Sequence, residues 1–190
     1  MNNQSAPLIM LIGLPGSGKS TWAEQFVYGQ PNHEQPNHEQ PDYKQPDYKQ
    51  PSHRQPDCKH PNYKLIATDK IRYQLYGDEA VQGEWLQIWH VVMAQLKAAR
   101  AAIAADILTG VIYDATNARR RHRREFIQAA STCGYDAIHA LWFNPPLDVC
   151  LARNQVRARQ VPIEVIEKMH RQLTAAPPTV AEGLTSIKIM

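Results

Sequence analysis

Eight consecutive residues, Gly13-Leu14-Pro15-Gly16-Ser17-Gly18-Lys19-Ser20, fit the pattern G-x-x-x-x-G-K-[ST] at every fixed position. The apolar run Pro7 to Ile12 before them has strand length, and Thr21 to Val27 after them reads as helix. Glycines at Gly13, Gly16 and Gly18 let successive backbone N–H groups curl around an anion, and a helix N-terminus adds its dipole. In such a loop Pro15, Ser17 and Thr21 belong to the cradle. Lys19 bridges the β- and γ-phosphates of a nucleotide, and the Ser20 hydroxyl ligates Mg²⁺. An ordinary glycine turn is the competing reading, and the complete pattern in its strand–loop–helix setting argues against it. The stretch predicts a nucleotide-binding site, with ATP and Mg²⁺ as its occupants.

The rest of the composition sets bounds. A chain of 190 residues, 43% hydrophobic, is about one domain long and can bury a single core. Lys and Arg outnumber Asp and Glu by 21 to 18, a mild excess that permits an anionic substrate without requiring nucleic acid. Cys58, Cys133 and Cys150 are scattered and form no C-x-x-C pair, which argues against a disulfide framework or a zinc site. The N-terminal residues lack a basic region, and Leu8 to Ile12 is too short for a signal peptide or a membrane span. The expectation is a cytoplasmic protein without membrane contact.

Composition changes abruptly after Gly29. Residues 30–64 are seven tandem pentads, from QPNHE to HPNYK, and hold seven of the chain's 14 prolines. A proline every fifth residue removes amide donors and disfavours helix just before it, and there is little apolar side chain to form a core. The stretch reads as an exposed extended or disordered insertion within one domain spanning 1–190. Removing six units leaves a short helix-to-strand connection. The reading is tandem expansion of a loop unit, with a partner-binding arm as the alternative.

Beyond it, structure is expected to resume at Leu65. A short strand runs to Asp69, with Thr68 or Asp69 capping a helix over 70–76 that Gly77 ends. Apolar residues at three- and four-residue spacing from Trp85 to Ile107 predict a long helix over 81–108, stopped at Gly110. Its tryptophans share the stripe and read as core or cleft wall. Further strands are predicted at 111–114, 136–143 and 184–189, with helices from Arg119 to Cys133, over 147–159 and over 163–173. Strands alternating with helices imply an α/β, three-layer phosphate-loop fold, its parallel sheet of about five strands carrying the site at their carboxyl ends.

Asp69 and Asp114 each end a predicted strand at that edge. An acid there can hold magnesium through water, or take the proton of an attacking hydroxyl. Arg72, one helical turn past Asp69, could hold an anionic part of an acceptor. Arg153, Arg157 and Arg159 precede Val161-Pro162 and could fold over a γ-phosphate. Five arginines between Arg119 and Arg124 are compatible with a phosphate backbone or with a solvated helix start.

Gly13 to Thr21, Thr68-Asp69-Lys70-Ile71-Arg72, Asp114-Ala115-Thr116-Asn117, and Arg153-Asn154 through Arg157 to Val161-Pro162-Ile163 together resemble the polynucleotide 5′-hydroxyl kinase family, in the same order. The resemblance implies that Asp69 is the general base for the acceptor hydroxyl and that Arg72 binds the acceptor's neighbouring phosphate. It makes Arg157, with Arg153 beside it, the lid arginine on the donor phosphates, and Asp114 an acid that helps orient the acceptor-side arginine. No phosphatase half is expected, the chain ending at its fifth strand. The wider family also phosphorylates small molecules, so the acceptor is either a 5′-hydroxyl nucleic acid or a small molecule. A nucleotide switch without catalysis is the third reading; no N-K-x-D element supports it, and it leaves Asp69 without a role.

Overall fold

The computed structural model describes residues 5–29 and 62–190. The pentad run expected over 30–64 lies outside the described residues, apart from its last three.

Five strands form one parallel sheet: β1 (Pro7–Gly13), β2 (Tyr63–Ala67), β3 (Gly110–Asp114), β4 (Ala137–Phe143) and β5 (Ser186–Ile189). Their order is β2-β3-β1-β4-β5. β1 therefore sits at the centre, paired with β3 at Ile9–Ile112 and with β4 at Ile9–His139. Its residues alternate between two cores, as a strand buried on both faces must. Leu8, Met10 and Ile12 join the larger cluster, while Leu11 faces a smaller one.

The smaller core lies under α1 (Lys19–Tyr28), whose Ala23, Trp22 and Phe26 cover Leu11, Ile112 and Phe143. The larger one lies under α3 (Trp85–Ala104), α4 (Arg120–Thr132) and α6 (Ile163–Ala175), through Ile88, Val92, Leu96, Phe126, Ile127, Ile166 and Leu173. α2 (Thr68–Tyr76) and α5 (Leu147–Gln155) add Ile71 and Cys150 to the larger core. Helices on both faces of a five-stranded parallel sheet are the architecture that the strand–helix alternation predicts.

Several boundaries differ from the sequence reading, each for a visible reason. β2 begins at Tyr63, two residues inside the last pentad, because Tyr63 pairs with Gly110 and its ring meets Phe26 edge-on at 5.3 Å. Thr68 and Asp69 open α2 instead of ending the strand, and neither caps it. The Thr68 hydroxyl turns to the Asp114 carbonyl (3.5 Å), and the Asp69 carboxylate is taken by arginines. α3 is shorter at both ends than the helix predicted over 81–108. Ala105 closes it, Ile107 is exposed, and Gly110 is already the first residue of β3. α5 stops at Gln155, because the Asn154 side chain clasps Val161 through both its N–H (3.0 Å) and its carbonyl (2.8 Å). Arg157 and Arg159 therefore stand on a loop rather than a helix.

β2 starts at Tyr63, at the amino end of the sheet and opposite the carboxyl edge, and the Tyr63 ring meets Phe26 near the end of α1. A chain lacking residues 30–59 is expected to fold with an unchanged thermal midpoint within a few degrees and to retain the activity of the full chain, measured side by side.

Candidate active site

The chain reverses its winding direction at β1: α1 carries it past β3 to β2, whereas α4 carries it from β3 across β1 to β4. A crevice opens at the carboxyl ends of strands at such a switch point. Here it is a cleft of about 1650 Å³ lined by the loop after β1, the start of α2, the end of β3, the start of α3 and the segment between α5 and α6. Ligand cavities of about 300–1,000 Å³ are common for single small molecules, so this one has room for a nucleotide and an acceptor together.

Gly18 precedes α1 with φ 97°, a left-handed conformation that a side chain would strain. Gly16, at φ 80°, lies against α5, and a Cβ there would run into the carbonyl oxygen of Cys150. The loop therefore depends on glycine for both its curvature and its packing. Lys19 folds back beneath it. Its ammonium donates to the Leu14 carbonyl (2.8 Å) and the Ser17 hydroxyl (3.3 Å), filling with positive charge the space the loop encircles. Burial pulls its pKa down to about 8; the carboxylates of Asp114 and Asp69 push the other way, and the Arg157 guanidinium adds to the lowering.

Asp114 ends β3 almost fully buried. Burial raises its pKa, and a hydrogen bond from the Ser20 hydroxyl together with the Lys19 charge draws it back down. A hydroxyl and a carboxylate side by side are hard oxygen donors, the set Mg²⁺ takes alongside phosphate oxygens and water. Among the described residues no group of three or more His, Cys, Asp or Glu side chains could hold a metal by itself.

On the far side, Asp69 is held at both carboxylate oxygens. Arg72 Nη1 donates to Oδ1 at 2.7 Å, and Arg159 Nη1 lies 3.2 Å from Oδ2. Arg72 Nε is buried with no partner among the described residues. An unmatched guanidinium N–H is costly to bury, and it points to an anionic group that completes the site. Arg72 donates to Asp69, while the Asp114 carboxylate accepts from Ser20.

Of the residues singled out from sequence, Pro15, Gly16, Gly18, Lys19, Ser20, Thr21, Asp69, Arg72, Asp114, Arg153 and Arg157 line this one cleft. Gly13 and Ser17 lie behind it: the Gly13 amide donates to Thr116 and Ser17 supports Lys19. Arg159 joins them through its contact with Asp69. Trp85, 48% exposed, and Leu86 form an apolar wall at the start of α3, with Trp89 tilted behind Trp85 at a centroid distance of 5.9 Å. The basic run divides. Arg123 is wholly buried against Glu182, and Arg121 pairs with Glu125 on the surface.

A central β1 carrying the phosphate loop, in a parallel sheet ordered 2-3-1-4-5, makes this a phosphate-loop, kinase-like α/β fold. The chain belongs to the AAA domain family, whose model matches residues 52–176. The phosphate loop itself precedes the matched stretch. Among solved structures, the tunicamycin resistance protein of Deinococcus radiodurans superposes with a TM-score of 0.53 at 16% identity, over 96% of this chain and 86% of that one. A candidate kinase from Chloroflexus aurantiacus gives 0.53 at 13% identity, over 98% and 85%. A gluconokinase from Sinorhizobium meliloti gives 0.45 at 15%, over 98% and 82%. At these identities the likeness is one of fold. No curated protein sequence matches the chain. Among the described residues no helix is long and apolar enough to cross a membrane.

Proposed function

We propose that this chain is an ATP-dependent kinase that transfers the γ-phosphoryl group to a hydroxyl, with a nucleic-acid 5′ end as acceptor. The observation that carries the reading is the placing of Asp69, already paired to Arg72, in the same cleft as the phosphate loop. In this mechanism the acceptor oxygen forms the new bond to the γ-phosphorus as its proton passes to an Asp69 oxygen. The bond from phosphorus to the β–γ bridging oxygen breaks, and ADP leaves. Lys19 and Arg157, with Arg153 beside them, offset the charge gathering on the transferred group and the leaving oxygen. The Ser20 hydroxyl and the Asp114 carboxylate would hold Mg²⁺, which supplies further positive charge against the phosphate oxygens. The unmatched Nε of Arg72 supports an anionic group beside the acceptor hydroxyl, and the exposed face of Trp85 supports a flat ring attached to it.

One observation favours a small-molecule acceptor on the same scaffold. The basic run that could have tracked a phosphate backbone is partly consumed, Arg123 by Glu182 and Arg121 by Glu125.

Transfer of radiolabelled γ-phosphate separates the two. The acceptors are a 5′-hydroxyl oligonucleotide, the same strand with an abasic 5′ residue, and gluconate as a ring-free polyol. The expected result is label on the intact oligonucleotide, weaker label on the abasic one, and a loss of at least about 100-fold with Asp69→Asn. Label on gluconate alone rejects the nucleic-acid acceptor. Undiminished transfer by Asp69→Asn rejects Asp69 as base.

A further inference from the structure

The geometry around Asp69 assigns a role to Arg159: we propose that it is a positioning residue that occupies the Oδ2 oxygen of Asp69 until an acceptor displaces it. This rests on the kinase reading above. The Asp69 side chain is 48% exposed even with Arg159 in place, so burial does not keep water from using it. A carboxylate so placed, facing a bound nucleotide, would take a proton from water as readily as from an acceptor. The phosphoryl group would then go to water, whose oxygen bonds to the γ-phosphorus while its proton passes to Asp69. The bond to the β–γ bridging oxygen breaks, leaving ADP and inorganic phosphate.

Two guanidinium groups stand against that loss, and they are not equivalent. Arg72 sits one turn along the same helix, largely buried, bonded to Oδ1 at 2.7 Å. It stays with Asp69. Arg159 comes from across the cleft, approaches Oδ2 at 3.2 Å, and has a second carboxylate within reach, Glu79 Oε2 at 3.8 Å. It has somewhere to go. The backbone that carries it is pinned: Asn154 clasps Val161 and the Gln160 side chain donates to the Gln155 carbonyl at 2.7 Å, so release is a side-chain movement. An oxygen occupied by a guanidinium N–H has one lone pair fewer with which to hold an incoming water. Water brings no binding energy with which to displace Arg159. An acceptor does, through its ring on Trp85 and its anion on Arg72, and the freed guanidinium turns to Glu79 or to that anion.

The test uses the full chain and needs no acceptor. ADP release from MgATP is measured in acceptor-free buffer for wild type, Arg159→Gln, Arg159→Lys and Arg159→Gln/Asp69→Asn. Arg159→Gln is expected to raise hydrolysis about fivefold, the population gained when a part-exposed ion pair is released. Arg159→Lys keeps most of the suppression, because a cation remains opposite Oδ2. The double variant falls to wild-type level or below. In parallel the ratio of hydrolysis to labelled oligonucleotide rises in Arg159→Gln, which a general loosening of the fold would not produce. Hydrolysis by Arg159→Gln at or below wild type overturns the proposal, as does a rise that survives Asp69→Asn. Faster, Asp69-dependent hydrolysis from a chain that labels no oligonucleotide supports the role of Arg159 and rejects the acceptor class alone.

Discussion

Arg123→Met is expected to lower the stability of this protein by about 3–5 kcal/mol, the range for breaking a buried ion pair on one side only. At this chain length that is roughly 10–15 °C in thermal midpoint, read by calorimetry or by circular dichroism. Both side chains of the Arg123–Glu182 pair are wholly buried, and the guanidinium grips the carboxylate with two bonds of 2.7 Å. Its remaining donors go to the carbonyls of Asn117 (3.3 Å), Ala118 (3.1 Å) and Ala176 (2.8 Å). A guanidinium has five N–H groups, and here all five are spent. Removing it leaves the buried carboxylate with the Thr179 amide at 3.3 Å and the Arg120 guanidinium at 3.9 Å, and frees three carbonyls. Glu182→Leu is expected to be nearly as damaging, since it strands the cation. The double variant should recover part of the loss, because no charge is left buried, yet stay about 1–3 kcal/mol below wild type on account of the three carbonyls. Additive losses in the double variant would show that the pair itself contributes nothing. The contact also matters to the cleft, because Asn117 and Ala118 belong to its wall and the Asn117 side chain reaches back to the Leu11 carbonyl at 2.6 Å.

That pair marks the limit of what the sequence discloses. The phosphate loop, the strand–helix alternation and the acids at the ends of β2 and β3 are local patterns, each written in a handful of neighbouring residues. They put these residues at the carboxyl edge of the sheet, where the structure brings most of them into one cleft. Arg123 looks like one of five arginines in a basic run. Its helical spacing does carry a signal, since Arg123, Phe126, Ile127 and Ala130 lie on one face at intervals of three and four. An arginine on an apolar face needs a carboxylate, but the partner lies 59 residues away, and only the folded chain brings it in. The sequence places Arg159 among the arginines that could fold over a γ-phosphate, and hides its contact with Asp69 for a similar reason. Its contact with Asp69 depends on α5 stopping at Gln155, which a side chain–backbone clasp by Asn154 decides. Pro162 gave a hint by disfavouring helix at Val161. Asp69 shows the reverse case, where a candidate role is readable from the pattern and the local structure is not. Nothing short of the three-dimensional contacts shows that its carboxylate is drawn away from the helix amides by two arginines.

Lys19→Met should separate function from stability in the opposite sense. Transfer and nucleotide binding are expected to fall by at least about 100-fold, because a preorganised positive donor to the transferring group is lost. The thermal midpoint should hold or rise. Burial has moved the Lys19 pKa from 10.5 to about 8, a desolvation penalty of about 3 kcal/mol at neutral pH. A methionine carries no such penalty, and its removal more than offsets the donors lost to Leu14 and Ser17 at about 1 kcal/mol each. The sign of the pH dependence follows from the same shift. Between pH 8 and 10.5 the unfolded chain binds the Lys19 proton and the folded empty site does not, so this group's contribution makes stability rise with pH across that window. Nucleotide binding runs the other way. Phosphates favour the charged ammonium, so the complex takes up a proton wherever the empty site has lost it. ATP affinity is expected to be flat from about pH 7 to 8 and to fall towards tenfold per pH unit above that. Titration calorimetry in buffers of different ionisation enthalpy reads the linked proton directly. Uptake should climb from near zero at pH 7 to nearly one per ATP at pH 9, and vanish in Lys19→Met. Equal uptake at both pH values would mean that the lysine is not the group the nucleotide recharges, and that the ammonium folded beneath the empty loop is only filling space.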